Sequence, residues 1–373
     1  MSASLNFGLG RSLRAAGASL SVALPVAKCE QAREQKRVAY AASYPANNPI
    51  EDRSAAREEG AVKLYGVFDG HGGWQMAEYA HRRLLAEVQT RYEQQKTYVN
   101  YFTTPDRERK LDGFDNMEKV LLSSFSTVEK EFLEKTREAF PLGFGELAKV
   151  GSCVLLAAHK GDLLYLANCG DCRAVLGSQG SGAAGDADRH YATRLTHDHN
   201  ARVALEALQL RLSHPGEENI IVCKSPTACY VKGRLQLTRA LGDLYLKHPE
   251  FNAPPSQHRS MGRHIPPPYT PPYVSPVPEV TQVRLQPEDC FLVLATDGLW
   301  DEMSDQEAVS VVSQCVKAGK RHEAAAALVE ESLARAAAAS GMAVAELKAL
   351  PPGNRRRGRH DDTTAVVIFF HQN

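Results

Sequence analysis

The stretch Leu64-Tyr65-Gly66-Val67-Phe68-Asp69-Gly70-His71-Gly72-Gly73 sets a carboxylate, a backbone carbonyl and an imidazole side by side. Val67 and Phe68 suit a buried strand, so Asp69 is expected where that strand leaves its sheet. The glycines around His71 allow positive φ and let backbone approach a ligand closely. One tight turn holding these three groups suits a hard metal ion with an acid or base beside it. An ordinary strand-to-helix turn with a surface histidine would read the same way, so the other acids must decide.

Those acids recur at the ends of apolar runs. Asp171 follows Leu163–Ala167, Asp297 follows Phe291–Ala295, and Asp361 stands just before Thr364–Phe370. Separated by hundreds of residues yet each at a strand end, they are expected to converge with Asp69. Packed carboxylates repel unless cations neutralise them. Carboxylates, carbonyls and water are hard oxygen donors, which favour Mg2+ or Mn2+ over zinc. Two such ions sharing a water would lower its pKa and generate a hydroxide nucleophile. A phosphate, whose oxygens the ions also neutralise, is the natural electrophile.

The elements that must position these groups follow from the apolar pattern. Strands are expected over Val38–Ser43, Lys63–Phe68, Cys153–Ala158, Leu163–Ala167, Arg173–Leu176, Phe291–Ala295 and Thr364–Phe370. Lys160-Gly161-Asp162 is a hairpin turn, so the strands on either side are antiparallel. Their continuous apolar character calls for cover on both faces. Helical spacing appears over Trp74–Glu87, Met117–Phe140, Ala201–Leu212 and Glu323–Ala338, and Ser304-Asp305-Gln306-Glu307 is a capping box that starts another helix. The segment 252–278 is proline-rich and is expected to be a surface excursion. Asn354–Arg359 reads as a solvated basic loop beside Asp361, and Glu51-Asp52 by itself reads as a solvated acidic pair.

The 373 residues carry 43% apolar side chains, enough for a sizeable core. Lys plus Arg and Asp plus Glu both number 44, so no global field draws the chain to nucleic acid or a membrane surface. No apolar run is long enough for stable membrane insertion. The eight cysteines are scattered, which does not look like a disulfide framework. Cys169-Gly170-Asp171-Cys172 has no second such pair with which to bind zinc. Residues 1–28 contain Arg11, Arg14 and Lys28 and no acid. They fit either a mitochondrial transit peptide or a plain N-terminal tail. That leaves the compartment open between mitochondrial matrix and cytoplasm or nucleus. Hydrophobic segments then run without a long break, giving a leader or tail over 1–37 and one catalytic domain over 38–373 with an insertion at 252–278.

In order along the chain, DGHGG (69–73), GDCRAV (170–175), RALGD (239–243), ATDGLWD (295–301) and HDDTTAVV (360–367) resemble the metal-dependent protein phosphatases of type 2C. The 47–53, 196–200 and 269–280 segments look most like the pyruvate dehydrogenase phosphatase-like branch, while Tyr245–Phe251 also resembles plant relatives. The resemblance implies an α+β, four-layer α-β-β-α sandwich: two packed antiparallel sheets flanked by helices. It implies a monomer acting on phosphoserine or phosphothreonine of a phosphoprotein. Asp69 would bridge two Mg2+ or Mn2+ ions, the Gly70 carbonyl would bind one, and Asp297 and Asp361 would complete the other. Glu51 and Asp52 would hold metal-bound waters, and Asp171, Asp297 and Asp301 match a weaker third site. A bridging hydroxide would attack phosphorus in line while His71 protonates the leaving oxygen. Asn47 stands where many members carry a phosphate-gripping arginine, and Asp362 where many carry Asn. Arg239 and Asp243 are read as structural support. Two other readings stay open. One is a phosphoprotein-binding relative without turnover. The other is an aspartyl-phosphate enzyme using Asp69, which would need a second carboxylate close after it, where His71 stands.

Overall fold

The computed structural model describes residues 38–102, 116–180, 189–252 and 264–371. The expected leader at 1–37 and residues 253–263 of the proline-rich segment lie outside the described residues. From Val38 onward the chain forms one compact unit. Strands β1 (Ala39–Tyr44), β2 (Arg53–Arg57) and β3 (Lys63–His71) lead into two long helices, α1 (Gln75–Phe102) and α2 (Met117–Ala139). Next come β4 (Gly151–Lys160), β5 (Leu163–Cys169), β6 (Arg173–Gln179) and β7 (His190–Arg194). Helix α3 (Ala204–Ser213) precedes the hairpin β8 (Ile221–Ser225) and β9 (Ala228–Val231), and the two-residue β10 (Leu241–Gly242). The remainder is β11 (Glu279–Arg284), β12 (Asp289–Ala295), α4 (Asp297–Trp300), α5 (Asp305–Lys317), α6 (Ala324–Ala339), α7 (Val344–Ala349), α8 (Asn354–Arg357) and β13 (Thr363–Phe369).

One sheet runs β1-β13-β12-β6-β7; the other runs β11-β5-β4-β3-β2, with β10 added on β4. Every pairing in both is antiparallel. The period of two explains why β12 and β13 lack polar alternation. Phe291, Val293, Ala295, Ala365, Val367 and Phe369 face one way, into a core shared with Val309, Leu328 and Leu333 of α5 and α6. Leu292, Leu294, Val366 and Ile368 face the other way, into the core built from β3, β4, β5, α1 and α2. Both faces of each sheet are thus covered, and the expected four-layer sandwich is what forms. Ser304 caps α5 as expected, its side chain and that of Glu307 each accepting from the other's backbone N–H.

Several local expectations are corrected. Strand β3 does not end at Asp69 but pairs on with β4 through Asp69↔Cys153, Gly70↔Ser152 and His71↔Gly151. The turn falls at Gly72 and Gly73, with φ of +70° and +139°, where a side chain would be strained. Strand β2 had no apolar signal because its outer half is exposed. The described part of the proline-rich segment is no mere surface excursion: Ile265, Tyr273 and Val274 are buried in the larger core. Tyr273 Oη donates to Glu217 (3.0 Å), whose carboxylate also pairs with Lys232 at 2.6 Å. Nor is 354–359 a solvated loop, since Arg356 is buried and donates to the carbonyls of Pro45, Lys348 and Leu350. Cys223 and Cys229 stand opposite each other in the β8–β9 hairpin and form a disulfide. The other described cysteines are free. A six-residue separation had given no hint of that register. No described helix is long and apolar enough to cross a membrane.

Candidate active site

The acids are delivered by strand ends at one edge of the sandwich. Asp69 is carried by β3, Asp171 lies in the turn from β5 to β6, Asp297 begins α4 just after β12 stops, and Asp361 lies in the turn just ahead of β13. One carboxylate oxygen each from Asp69, Asp171 and Asp297 lie within 4.8 Å of one another. They open into a cleft of about 300 Å³ that is also lined by Glu51, Gly70, His71, Asp301 and Asp361. Asp52 sits behind this wall, 3% exposed, where its Oδ2 accepts from Thr296 Oγ1 at 2.8 Å.

The electrostatics of this arrangement are those of a cation site. Burial and then the charges of Asp297 and Asp52 hold the Asp69 carboxyl well above the usual carboxylate range. Burial, Asp171 and Asp361 do the same to Asp297. Burial and Asp362 push Asp52 up to about 8, against hydrogen bonds from Thr364 and Thr296. Burial also raises Asp361 to about 6, opposed by Arg357, whose Nη2 lies 2.5 Å from its Oδ2. Glu51 and Asp301 are raised as well, by burial first. Carboxylates so crowded either bind protons or bind metal, and an all-oxygen set suits Mg2+ or Mn2+. The residues present therefore fit the expected ions.

His71 is held from the far side. Its Nε2 lies 2.7 Å from Oδ2 of Asp243, a residue buried and in the left-handed region at φ +48°. Burial pulls the imidazole down, but the charge and hydrogen bond of Asp243, with Asp171 and Glu51, leave it above its ordinary value. The register explains the contact, because Gly151 pairs with both His71 and Gly242. A Cβ at 151 would lie 2.1 Å from Asp243 Oδ2 and 2.3 Å from His71 Nε2, so only glycine leaves room for the pair. The sequence pointed to structural support for Asp243; its side chain serves the histidine directly. Only the two-residue pairing of β10, invisible in the pattern, would have revealed it.

Asn47, expected at the substrate phosphate, is outside the cleft lining. Its backbone N–H and its Nδ2 donate to Asp362 at 2.8 and 3.1 Å. The same carboxylate accepts from Ala46 N (2.6 Å) and Glu51 N (2.7 Å), so Asp362 shapes the loop that presents Glu51. That role belongs to the acid expected merely to replace Asn. Both oxygens of Asp171 have donors: Cys153 Sγ at 3.2 Å and Asn200 Nδ2 at 3.0 Å. Cys153 and Asn200 line the cleft, as do Arg202, Tyr230, Arg234 and Arg357. Asn200 belongs to the 196–200 segment and Arg357 to the basic loop already placed beside Asp361, but Cys153, Arg202, Tyr230 and Arg234 were not anticipated, since they become neighbours only through the fold.

Known proteins agree with the geometry. The family Protein phosphatase 2C matches residues 26–341. The probable protein phosphatase 2C 34 of Oryza sativa subsp. japonica is 34% identical over 293 residues, covering 78% of this chain and 70% of the relative. The probable protein phosphatase 2C 48 of Arabidopsis thaliana is 34% identical over 296 residues, covering 77% and 70%. Among solved structures, a serine-threonine phosphatase 2C from Toxoplasma gondii superposes with a TM-score of 0.61 at 20% identity, over 89% of this chain and 94% of that one. A C. elegans sex determining protein superposes with a TM-score of 0.59 at 20% identity, over 89% and 64%. The structural likeness carries the fold and the sequence likeness carries the family: the chain belongs to the protein phosphatase 2C family and is a protein serine/threonine phosphatase.

Proposed function

We propose that this phosphatase hydrolyses phosphoserine and phosphothreonine by direct in-line displacement at phosphorus, without a phosphoenzyme. The convergence of Asp69, Asp171 and Asp297 within 4.8 Å carries the reading. Asp69, the Gly70 carbonyl, Asp297 and Asp361 would hold two Mg2+ or Mn2+ ions, with Glu51 and Asp52 behind them and Asp171 and Asp301 toward a weaker third. Bound there, the ions acidify water and neutralise the phosphate oxygens. His71, held at Nε2 by Asp243 and raised above its ordinary value, gives a proton to the leaving serine or threonine oxygen. The catalytic domain spans 38–373 with 252–278 as its insertion. The sequences at 47–53, 196–200 and 269–280 support a place near the pyruvate dehydrogenase phosphatase-like branch.

The test is hydrolysis of an aryl phosphate and a phosphoserine peptide by the purified chain in Mn2+. Turnover should vanish in EDTA and return with metal. Asp69→Ala and Asp297→Ala should each lower kcat by roughly 100- to 1000-fold or more. Full activity in chelator would overturn the mechanism, and a folded, metal-binding wild type without turnover would leave the phosphoprotein-binding reading.

A further inference from the structure

The cleft that holds the acids has a second, basic wall. Arg202 and Arg234 both line it, yet they are 32 residues apart and belong to different segments. Backbone bonds lace those segments together. Thr238 N donates to the His199 carbonyl (3.0 Å), Ala201 N donates to the Gln236 carbonyl (2.6 Å), and Asn200 bridges Leu237 antiparallel. Continuing that register brings Arg202 level with Leu235, next to Arg234. Lys232 and Gly233, at φ +50° and +66°, make the tight turn that presents Arg234.

Neither guanidinium is consumed by the fold. Arg234 Nη2 donates to the His264 carbonyl at 2.9 Å, and the described residues give it no carboxylate partner. Arg202 lies 3.7 Å from Asp198, its charge also draws down the carboxyl of Asp301 across the cleft, and its side chain is 38% exposed. Yet it is anchored beside the acids, because its backbone N–H donates to Asn200 Oδ1 (3.2 Å) while Asn200 Nδ2 donates to Asp171. Each guanidinium thus keeps several N–H donors open in a fork suited to carboxylate or phosphate. The cleft is small, so a side chain reacting over the acids places its neighbouring residues against this wall. Asn47, meanwhile, offers no positive charge.

We propose that Arg202 and Arg234 form a subsite for an acidic residue flanking the phosphorylated one, so that the preferred substrates are phosphoserine or phosphothreonine in an acidic sequence. This rests on the phosphatase reading above and specifies its substrate class. The subsite recognises an anionic oxygen group, from either a Glu/Asp side chain or a second phosphate.

The experiment compares wild type with Arg202→Ala/Arg234→Ala and Arg202→Lys/Arg234→Lys in Mn2+. The substrates are a Glu-flanked phosphopeptide, the same peptide with a second phosphoserine in place of Glu, an Ala-flanked phosphopeptide and p-nitrophenyl phosphate. The alanine pair should raise KM for the two anionic peptides by about 10-fold while leaving kcat, the Ala-flanked peptide and the aryl phosphate unchanged. The lysine pair should restore part of the loss, and added salt should shrink the difference. Equal losses on all four substrates would place the arginines on the reacting phosphate and overturn the subsite, as would no loss on any. Anisotropy of a fluorescein-labelled Glu-rich peptide without phosphate reads the subsite apart from turnover. Binding weakened by the alanine pair upholds it even if the wild type proves inactive, and binding unchanged refutes it.

Discussion

Two groups of buried carboxylates lie close together and are treated in opposite ways. Glu129 on α2 accepts from Lys247 Nζ at 2.7 Å and from Gly242 N at 2.8 Å, and Lys247 also donates to the Ala240 carbonyl at 2.7 Å. Its charge is matched from within. Asp52 is as deeply placed and Asp69 and Asp297 are half-buried at the cleft, but the charges that act on all three are those of other acids. The first group is architecture: Glu129 fixes the backbone that leads into Asp243. The second is a demand the fold makes on its surroundings. A buried acid with an internal cation reads as structural, and one surrounded by acids reads as a seat for an external cation.

The contrast can be broken most sharply at Glu129. Replacing it by Ala strands a buried ammonium and should cost about 3–5 kcal/mol of stability. The Glu129→Leu/Lys247→Met pair should recover much of that loss but stay about 1–3 kcal/mol below wild type, because the buried Gly242 N–H loses its acceptor, measured by urea unfolding in saturating Mn2+. A small cost for the single change would mean that the ion pair is not what holds this corner.

The acidic group should show the reverse dependence. Asp52 and Asp361 have folded pKa values raised to about 8 and about 6, above their unfolded values. Their protonation stabilises the metal-free fold fully below about pH 4, and that contribution is lost as pH rises toward 8. Metal-free protein should therefore lose on the order of a few kcal/mol between pH 5 and 8, and Mn2+ should flatten the slope. A metal-free melting temperature indifferent to pH would contradict the crowding.

A smaller effect is expected where the two groups meet. Asp243→Asn keeps the shape beside His71 but removes the charge that raises it. Turnover of phosphoserine peptide should fall about 10-fold, with the alkaline limb of the kcat profile moving to lower pH. Aryl phosphate, whose leaving group needs little protonation, should suffer less. A profile that does not move would remove Asp243 from the proton's history.

How much of this was legible depended on whether a residue's role is local. The strands Phe291–Ala295 and Thr364–Phe370 announced themselves because both faces are apolar, and the Ser304 cap because its partners lie three residues apart. Asp171 and Asp297 were readable as acids at strand ends, whereas β3 runs two residues past Asp69. Their convergence was expected from the repeated pattern, but the sheet order that produces it became visible only in the fold. Asp243, Asp362, Arg202 and Arg234 were misread or passed over, since each works with residues distant in the chain: His71 lies 172 positions from Asp243, Asn47 lies 315 from Asp362, and the two arginines meet only across the cleft. Arg356 looked solvated because a run of arginines carries no sign of the three carbonyls awaiting one of them.

Asp362 ties the two extremities of the catalytic unit together, gathering the 46–51 loop just as β13 zips onto β1 beside it. A ribosome has therefore long since released Glu51 and Asp69 before the piece that sets them in place exists. On the proposed mechanism, a growing chain should hold an unfinished acid nest and be inactive. Competence should arrive late, when β13 docks onto β1, and a protease that removes that strand should withdraw it again.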